Sequence, residues 1–266
     1  MKRILAVVAA AAVLVATLAM PATAGTLDEI KERGVLRVGL EPGYMPFELT
    51  NQRGEIIGFD PDIAKRMAKK LGVELELVST AWDGIIPALL TRKFDVIMSG
   101  MTITEKRSEV VDFADPYIII GQTALIRKEL ADEVTSYKDL NNPKYQIASK
   151  LGTTGEIAAK KTFPEARYFS YETEQEAVME VVNGRVDAFI YDSPYNAVAF
   201  AEKGQGKLVF LDQPFTREPI GWAIRKGNPE FLAFLNDYLK EIKADGTYDH
   251  IYHKWFKDDA WLKELR

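Results

Sequence analysis

The chain has 266 residues, contains no cysteine and carries a formal charge of −5 at pH 7. The absence of cysteine excludes a disulfide framework and a thiolate metal site. An acidic balance without a basic cluster argues against a nucleic-acid-binding protein.

The first 24 residues have the features of a secretory signal peptide. Lys2 and Arg3 form a charged start, residues 4–20 are an almost unbroken apolar run, and residues 22–24 form an A-x-A cleavage site. The run is too short and too rich in alanine to favour a retained membrane anchor. Cleavage near Ala24 changes the charge from −5 to −7, because Lys2 and Arg3 are lost. With no cysteine to carry a lipid, the mature chain is expected in the periplasm.

The first half of the mature chain alternates between strand and helix patterns. Helices are predicted over 26–34, 60–72 and 84–93, and strands over 35–40, 73–78 and 94–98. Asp60 is predicted as an N-cap, with Pro61 in the first helical position and Gly72 at the end. The alternation predicts a mostly parallel sheet with crossover helices.

The second half repeats this pattern. Strands are predicted over 145–149, 186–192, 208–211 and 221–225, and helices from 155, over 173–182, from 194, and over 229–256 with a break at 244–246. The stretches KFDVIMSG (93–100) and RVDAFIYD (185–192) share one order of basic, apolar, acidic and polar residues. Two similar α/β lobes would bring both polar strand ends to an interface, where ligands often bind. Two unrelated lobes with coincidental strands are the alternative.

Arg107 is the first candidate for a binding residue. Thr104 is a predicted N-cap, so Arg107 falls in the first helical turn, where a cation faces the positive end of the helix dipole. That position favours a neighbouring anion, which the guanidinium can hold in two parallel hydrogen bonds, with the Thr102 hydroxyl as a third donor. An exposed arginine paired with Glu109 or Asp112 is the alternative.

Two further features complete a possible ligand site. The turn Gly152-Thr153-Thr154-Gly155 opens a helix, and free N–H groups at a helix start bind anions. Asp192 ends an apolar strand and is either the N-cap of the next helix or a receiver for a cation. Receivers for a carboxylate and for an ammonium group together suit a free amino acid.

The chain from about residue 26 to 258 resembles the family 3 periplasmic solute-binding proteins, the polar amino-acid receptors of ABC importers. The matching stretches are GVLRVG (34–39), YMPFE (44–48), GFDPDIAKRMAKKLG (58–72), WDGIIPALLTRKFDVIMSGMTITEKR (82–107), DFADPY (112–117), LGTTGE (151–156), VDAFIYD (186–192) and DGTYDHIYHKWF (245–256). The resemblance implies a two-lobed type II fold, with a central mostly parallel sheet flanked by helices in each lobe. It implies one lobe from residues 25–120 with 219–266 and another from 121–218, joined by two hinge strands near 118–124 and 217–223.

The resemblance also implies roles for individual residues. Arg107, Thr102 and the turn at Thr153 and Thr154 would hold the ligand's α-carboxylate. Asp192 would hold its α-amino group, with oxygens of Ser99 and Gly100. Tyr44 and Trp82 would sandwich the ligand side chain, and Glu41 would lie near its tip. The alternatives are core packing for the two aromatic residues and a solvated loop position for Glu41.

The pocket implied in this way suits a basic amino acid, because aromatic faces and a carboxylate favour a cation. Glutamine-binding members share much of the pattern, so a polar neutral amino acid stays open. The expected partners are the free amino acid and an inner-membrane ABC permease, with the chain itself a monomer and with no cofactor or metal.

Three other interpretations fit parts of the sequence. Exported cyclohexadienyl dehydratases share the fold and need a general acid, for which Glu156 or Glu218 can be proposed. A ligand-sensing receptor component is the second. The third is a metal pair at His250 and His253, but zinc usually takes three or four protein ligands and the sequence offers no third.

Overall fold

The computed structural model describes residues 25–265, with side chains through Lys263. The predicted signal peptide and its cleavage site near Ala24 lie outside the described residues. Within 25–265, no helix combines the length and the apolar character needed to cross a bilayer.

Strands and helices alternate along most of the described chain. The strands are β1 (Val35–Leu40), β2 (Leu49–Thr50), β3 (Ile56–Ile57), β4 (Glu74–Ser79), β5 (Val96–Ile97), β6 (Val111–Phe113), β7 (Ile118–Ile120), β8 (Gln122–Arg127), β9 (Gln146–Lys150), β10 (Arg167–Tyr171), β11 (Ala188–Asp192), β12 (Leu208–Leu211), β13 (Glu218–Ile220) and β14 (Ala223–Arg225). The α-helices are α1 (Thr26–Arg33), α2 (Phe59–Leu71), α3 (Trp82–Leu90), α4 (Glu105–Ser108), α5 (Thr154–Thr162), α6 (Glu174–Val182), α7 (Ser193–Lys203), α8 (Pro229–Ala244) and α9 (Thr247–Tyr252).

The first lobe is built on a five-stranded sheet in the order β4-β1-β5-β14-β6. β4, β1 and β5 run parallel, and Val38 lies opposite both Leu77 and Val96. Helices α2 and α3 make the crossovers between these strands, as the alternation predicted. The sheet is mixed, because β14 returns late in the chain and pairs antiparallel with β5 and β6.

The second lobe repeats this plan in the order β10-β9-β11-β8-β12. β10, β9 and β11 run parallel, with α5 and α6 as crossovers, and β8 pairs antiparallel with β11 and β12. The sequence did not predict the edge strand β10, because none of its residues is fully buried and its apolar pattern is weak. The two-lobed α/β fold expected from the resemblance is confirmed.

Two antiparallel strands connect the lobes. β7 and β13 form a two-stranded sheet in which Ile120 lies opposite Glu218. Both chain crossings therefore run side by side, near the positions predicted for the hinge. The division of the chain at residues 120/121 and 218/219 stays a prediction.

Helix α2 shows how the local sequence sets an element. Ile63 and Met67 have no exposed surface, and burying such a side chain contributes about 1.5–3 kcal/mol. Gly72 ends the helix with a φ of 72°, a left-handed conformation that glycine adopts without steric cost.

The predicted N-cap of α2 is wrong. Gly58 is the N-cap and has a φ of 144°. A Cβ at that position would lie 2.2 Å from the backbone oxygen of Phe47, so only glycine fits where the chain enters the helix. Asp60 lies inside the first turn instead and is fully buried, where its Oδ2 accepts hydrogen bonds from the Gly100 N–H (3.1 Å) and the Tyr117 hydroxyl (3.0 Å).

The two histidines lie at the surface near the end of the chain. His250 in α9 and His253, which begins a π-helical turn at His253–Lys257, are both exposed. Among residues 25–265, no group of three or more side chains is placed to hold a metal ion.

Candidate functional site

A small cavity lies between the two lobes. All ten residues singled out from the sequence line it: Glu41, Tyr44, Trp82, Ser99, Gly100, Thr102, Arg107, Thr153, Thr154 and Asp192. Lys150 and Glu174, which the sequence analysis did not single out, also line it, as does Tyr191. The structure therefore brings the candidate residues together, while their binding of a ligand stays a prediction.

Arg107 is positioned by the short helix α4. The Thr104 side chain caps this helix, because its Oγ1 accepts a hydrogen bond from the Arg107 N–H at 3.2 Å. The guanidinium donates to the backbone oxygen of Thr102 at 2.8 Å and lies over the Trp82 ring, 5.1 Å from its centre. Among the described residues it has no salt bridge, so the alternative of an ion-paired surface arginine does not apply.

Burial of the Arg107 guanidinium favours the binding of an anion beside it. Desolvation lowers the pKa of Arg107, while the charges of Glu218 and Asp192 act in the opposite direction. The Thr102 hydroxyl donates to Glu218 Oε2 at 2.9 Å and lies 3.2 Å from Thr154 Oγ1 of the other lobe. An anion beside Arg107 would therefore meet hydroxyl groups from both lobes.

Asp192 is buried at the end of β11. Asp192 is the N-cap residue of α7 by position, as the alternative predicted, but its side chain makes no capping bond to that helix. Its Oδ2 accepts from the Tyr44 hydroxyl at 2.5 Å, and its Oδ1 accepts from Gln122 Nε2 at 2.6 Å. Burial, and then the charge of Glu218, raise the pKa of Asp192 to about 7. An ammonium group would stabilise the ionised form.

Ser99 and Gly100 line the cavity. Ser99 Oγ donates to the buried Glu48 and accepts from the Glu41 N–H at 3.1 Å. Gly100 has a φ of 52°, and a Cβ there would lie 2.2 Å from the ring of Tyr44. The close approach of the Tyr44 ring to the backbone therefore requires glycine at position 100.

The two aromatic residues contact the cleft in different ways. Tyr44 is buried and stacks on Phe47, with ring centres 4.8 Å apart. Trp82 is half-buried, and its Nε1 donates across the cleft to the backbone oxygen of Gly152 at 3.0 Å. That the two rings sandwich a ligand side chain stays a prediction.

Three charged residues, Glu41, Lys150 and Glu174, form what we call the Lys150 cluster. Lys150 Nζ donates to Glu174 Oε1 at 3.0 Å and to Glu41 across the cleft. The Tyr191 hydroxyl donates to the same Glu174 oxygen at 2.9 Å. Lys150 is 3% and Glu174 4% exposed, whereas Glu41 is 21% exposed.

Only Glu41 of this cluster was singled out from the sequence. Lys150 ends β9 two residues before Gly152, at a strand end typical of a solvated lysine. Glu174 begins α6, where an acidic residue is explained by the helix dipole and the Thr173 capping box. Neither residue type at its position signals a side chain that points into a cleft.

Comparison with known proteins identifies the family. The sequence profile of the bacterial extracellular solute-binding proteins, family 3, matches residues 36–258. The chain belongs to this family. It is 34% identical over 236 residues to the L-cystine-binding protein TcyJ of Escherichia coli K12, covering 89% of this chain and 88% of that protein.

Solved structures of family members have the same fold. A putative ABC-transporter binding component from Wolinella succinogenes, complexed with lysine, has 54% identity and a TM-score of 0.85 over 87% of this chain and 99% of that one. An ancestral amino acid-binding protein described as a precursor of cyclohexadienyl dehydratase has 52% identity and a TM-score of 0.82, with the same coverage. The family and these relatives are binding proteins, so the chain is a solute-binding protein and not an enzyme.

Proposed function

We propose that this solute-binding protein takes a basic L-amino acid into the cleft between its lobes and delivers it to an ABC permease. The observation that carries the proposal is one cavity that holds Arg107 and Asp192 without a salt bridge to any described residue, beside a cluster with more negative than positive charge. The α-carboxylate would bind Arg107, the α-ammonium Asp192, and the side-chain cation the Lys150 cluster.

Burial makes this charge pattern selective for a zwitterion. A charge inside the cavity loses its hydration and is stabilised only by an opposite charge or by well-placed hydrogen bonds. A ligand that carries only one of the two α-groups leaves Arg107 or Asp192 uncompensated. A free amino acid satisfies both, and a peptide-bonded one does not.

The identity of the ligand side chain is supported by charge and by relatives. The Lys150 cluster has two carboxylates and one ammonium group, so a cationic side chain balances it while a neutral one does not. A relative with 54% identity was solved with lysine bound. Glutamine is the nearest alternative, because its amide can also donate to a carboxylate.

Ligand capture would use hinge closure between the lobes. Hydrogen bonds that cross the cleft hold it closed, among them those that join Tyr44 to Asp192, Trp82 to Gly152, Thr102 to Thr154, and Glu41 to Lys150. These contacts have to open for a ligand to enter, and β7 and β13 are the strands at which the chain can bend. The closed form, a periplasmic monomer cut near Ala24, would then dock on the permease.

Isothermal titration calorimetry of the purified protein against single amino acids tests the proposal. Lysine, arginine and ornithine should bind with 1:1 stoichiometry and more tightly than glutamine. Tight binding of glutamine with weak binding of all basic amino acids would favour the neutral-ligand alternative. The absence of binding by every amino acid would refute the proposed function.

A further inference from the structure

Lys150 holds carboxylates from both lobes with one ammonium group. It is the last residue of β9, and its side chain is 3% exposed and lines the cavity. Its Nζ bonds Glu174 within the second lobe at 3.0 Å and Glu41 of the first lobe across the cleft. The protein thus places a cation of its own inside the cavity.

Each of the two carboxylates is held in place by a second donor. The backbone N–H of Trp82 donates to Glu41 Oε1 at 3.2 Å. The Tyr191 hydroxyl donates to Glu174 Oε1 at 2.9 Å. Because both carboxylates are fixed in this way, the place between them is a preorganised receiver for an ammonium or guanidinium group.

The charges of the cluster do not balance. Burial opposes the charge of Lys150, but Glu174 and Glu41 outweigh it and raise its pKa, so the amine stays protonated. Two carboxylates and one ammonium group leave one negative charge in a site where water is largely excluded. A second cation removes this imbalance, and a carboxylate on the ligand would increase it.

We infer that Lys150 is a specificity-determining residue whose ammonium group competes with the side-chain cation of a basic amino acid for Glu41 and Glu174. The inference rests on the proposed function and names the residue that limits affinity for its ligand. An internal cation is present at high effective concentration, so a ligand cation has to share the carboxylates with Lys150 or displace it. A neutral amide can donate to these carboxylates but carries no charge, so it competes with Lys150 far less than a cation does.

The test compares lysine with glutamine in two variants. Lys150→Met keeps a side chain of similar length and removes its charge. Lysine should then bind about tenfold more tightly or better, while the glutamine Kd changes by less than about threefold, because only the cation forms ion pairs with the vacated carboxylates. Glu174→Gln removes one carboxylate and should weaken lysine about tenfold, with a much smaller effect on glutamine.

The matched control is Lys144→Met. Lys144 belongs to the same lobe and also pairs with a carboxylate, that of Glu133, but it is 53% exposed and lies outside the cavity. This variant should bind lysine and glutamine as the wild type does. It separates an effect of the Lys150 position from a general loss of positive charge.

The ratio of the two affinities decides the inference. An unchanged lysine-to-glutamine ratio in Lys150→Met, or a larger loss for lysine than for glutamine, would overturn it. If that variant does not fold, Glu174→Gln decides alone, and equal losses for both ligands count against Lys150 as a competitor. A wild type that binds no basic amino acid would refute the proposed function and the inference with it, whereas a wild type that binds lysine with unchanged ratios in the variants refutes only the inference.

Discussion

The charged side chains in the two parts of the cavity have different kinds of partner. Arg107 and Asp192 come from different lobes, and their hydrogen bonds go to neutral groups, the Thr102 backbone, the Tyr44 hydroxyl and Gln122. In the Lys150 cluster, by contrast, the charges bond one another. A buried charge whose hydrogen-bond partners are neutral is still stabilised by an opposite charge on the ligand. Charged side chains that pair with one another depend less on the ligand and affect mainly which ligand is preferred.

The largest effect should come from Arg107→Ala. Removing the partner of the α-carboxylate should weaken binding by about 2–5 kcal/mol, which is about thirtyfold or more. The melting temperature should change little, because Arg107 makes no salt bridge within the described residues. Calorimetry measures both Kd and stoichiometry.

Arg185→Ala is the control for that experiment. Arg185 pairs with Glu180 on the surface and is 66% exposed, so its loss should leave binding unchanged. A wild-type Kd in Arg107→Ala would contradict the role of the guanidinium in binding. It would also show that the charge of Arg107 is no more important for binding than the charges of the Lys150 cluster.

The pH dependence of binding tests the Asp192 part. The pKa of Asp192 is raised to about 7, so its carboxyl is mostly protonated below that pH when no ligand is bound. An ammonium group needs the ionised form, and affinity should therefore fall by up to about tenfold for each pH unit below about 7. Titrations at about pH 8, 7 and 6 measure the slope.

Asp60→Asn is a useful comparison here, since burial also raises the pKa of Asp60 to about 7. That variant should keep the slope if Asp192 causes it. A flat pH dependence in the wild type would show that the proton on Asp192 does not compete with the ligand.

Asp60→Asn should have a smaller effect, on stability. Because the folded-state pKa of Asp60 is raised, its stabilising contribution is complete below the unfolded value near 3.8 and is lost as the pH rises to about 7. The wild-type free energy of unfolding should decline over this range, by at most about 1.4 kcal/mol per pH unit from this group. Urea unfolding at several pH values should show a flatter decline in the variant, whereas Asp132→Asn, at an exposed position, should decline like the wild type.

The smallest expected effect is that of Thr104→Ala. Loss of an N-cap costs about 1 kcal/mol and frees the backbone that positions Arg107, so binding should weaken about fivefold. Thr104→Ser keeps the hydroxyl and should restore the affinity measured by calorimetry. An equal loss in both variants would show that the cap does not position the guanidinium.

Several parts of the site were predictable because they depend on local chemistry. The Thr104 cap follows from short-range hydrogen bonding, and Asp192 follows from an apolar strand that ends in an acid. The ten residues singled out do surround one cavity. Asp60 shows the limit of such reasoning: an Asp-Pro pair is typical of a helix start, but the tight entry at Gly58 moved the start and turned the carboxyl inward.

The sequence by itself determined the alternation of strands and helices, the C-terminal end of α2 at Gly72, the bounds of α6, and the positions of the charged strand ends, since periodic burial and capping act within a few residues. Only the tertiary structure decided that Lys150, Glu41 and Glu174 meet. They are separated by up to 133 residues along the chain (Glu41 to Glu174) and come from both lobes. Electrostatic contact of this kind depends on how the two lobes close on each other, which no local pattern records.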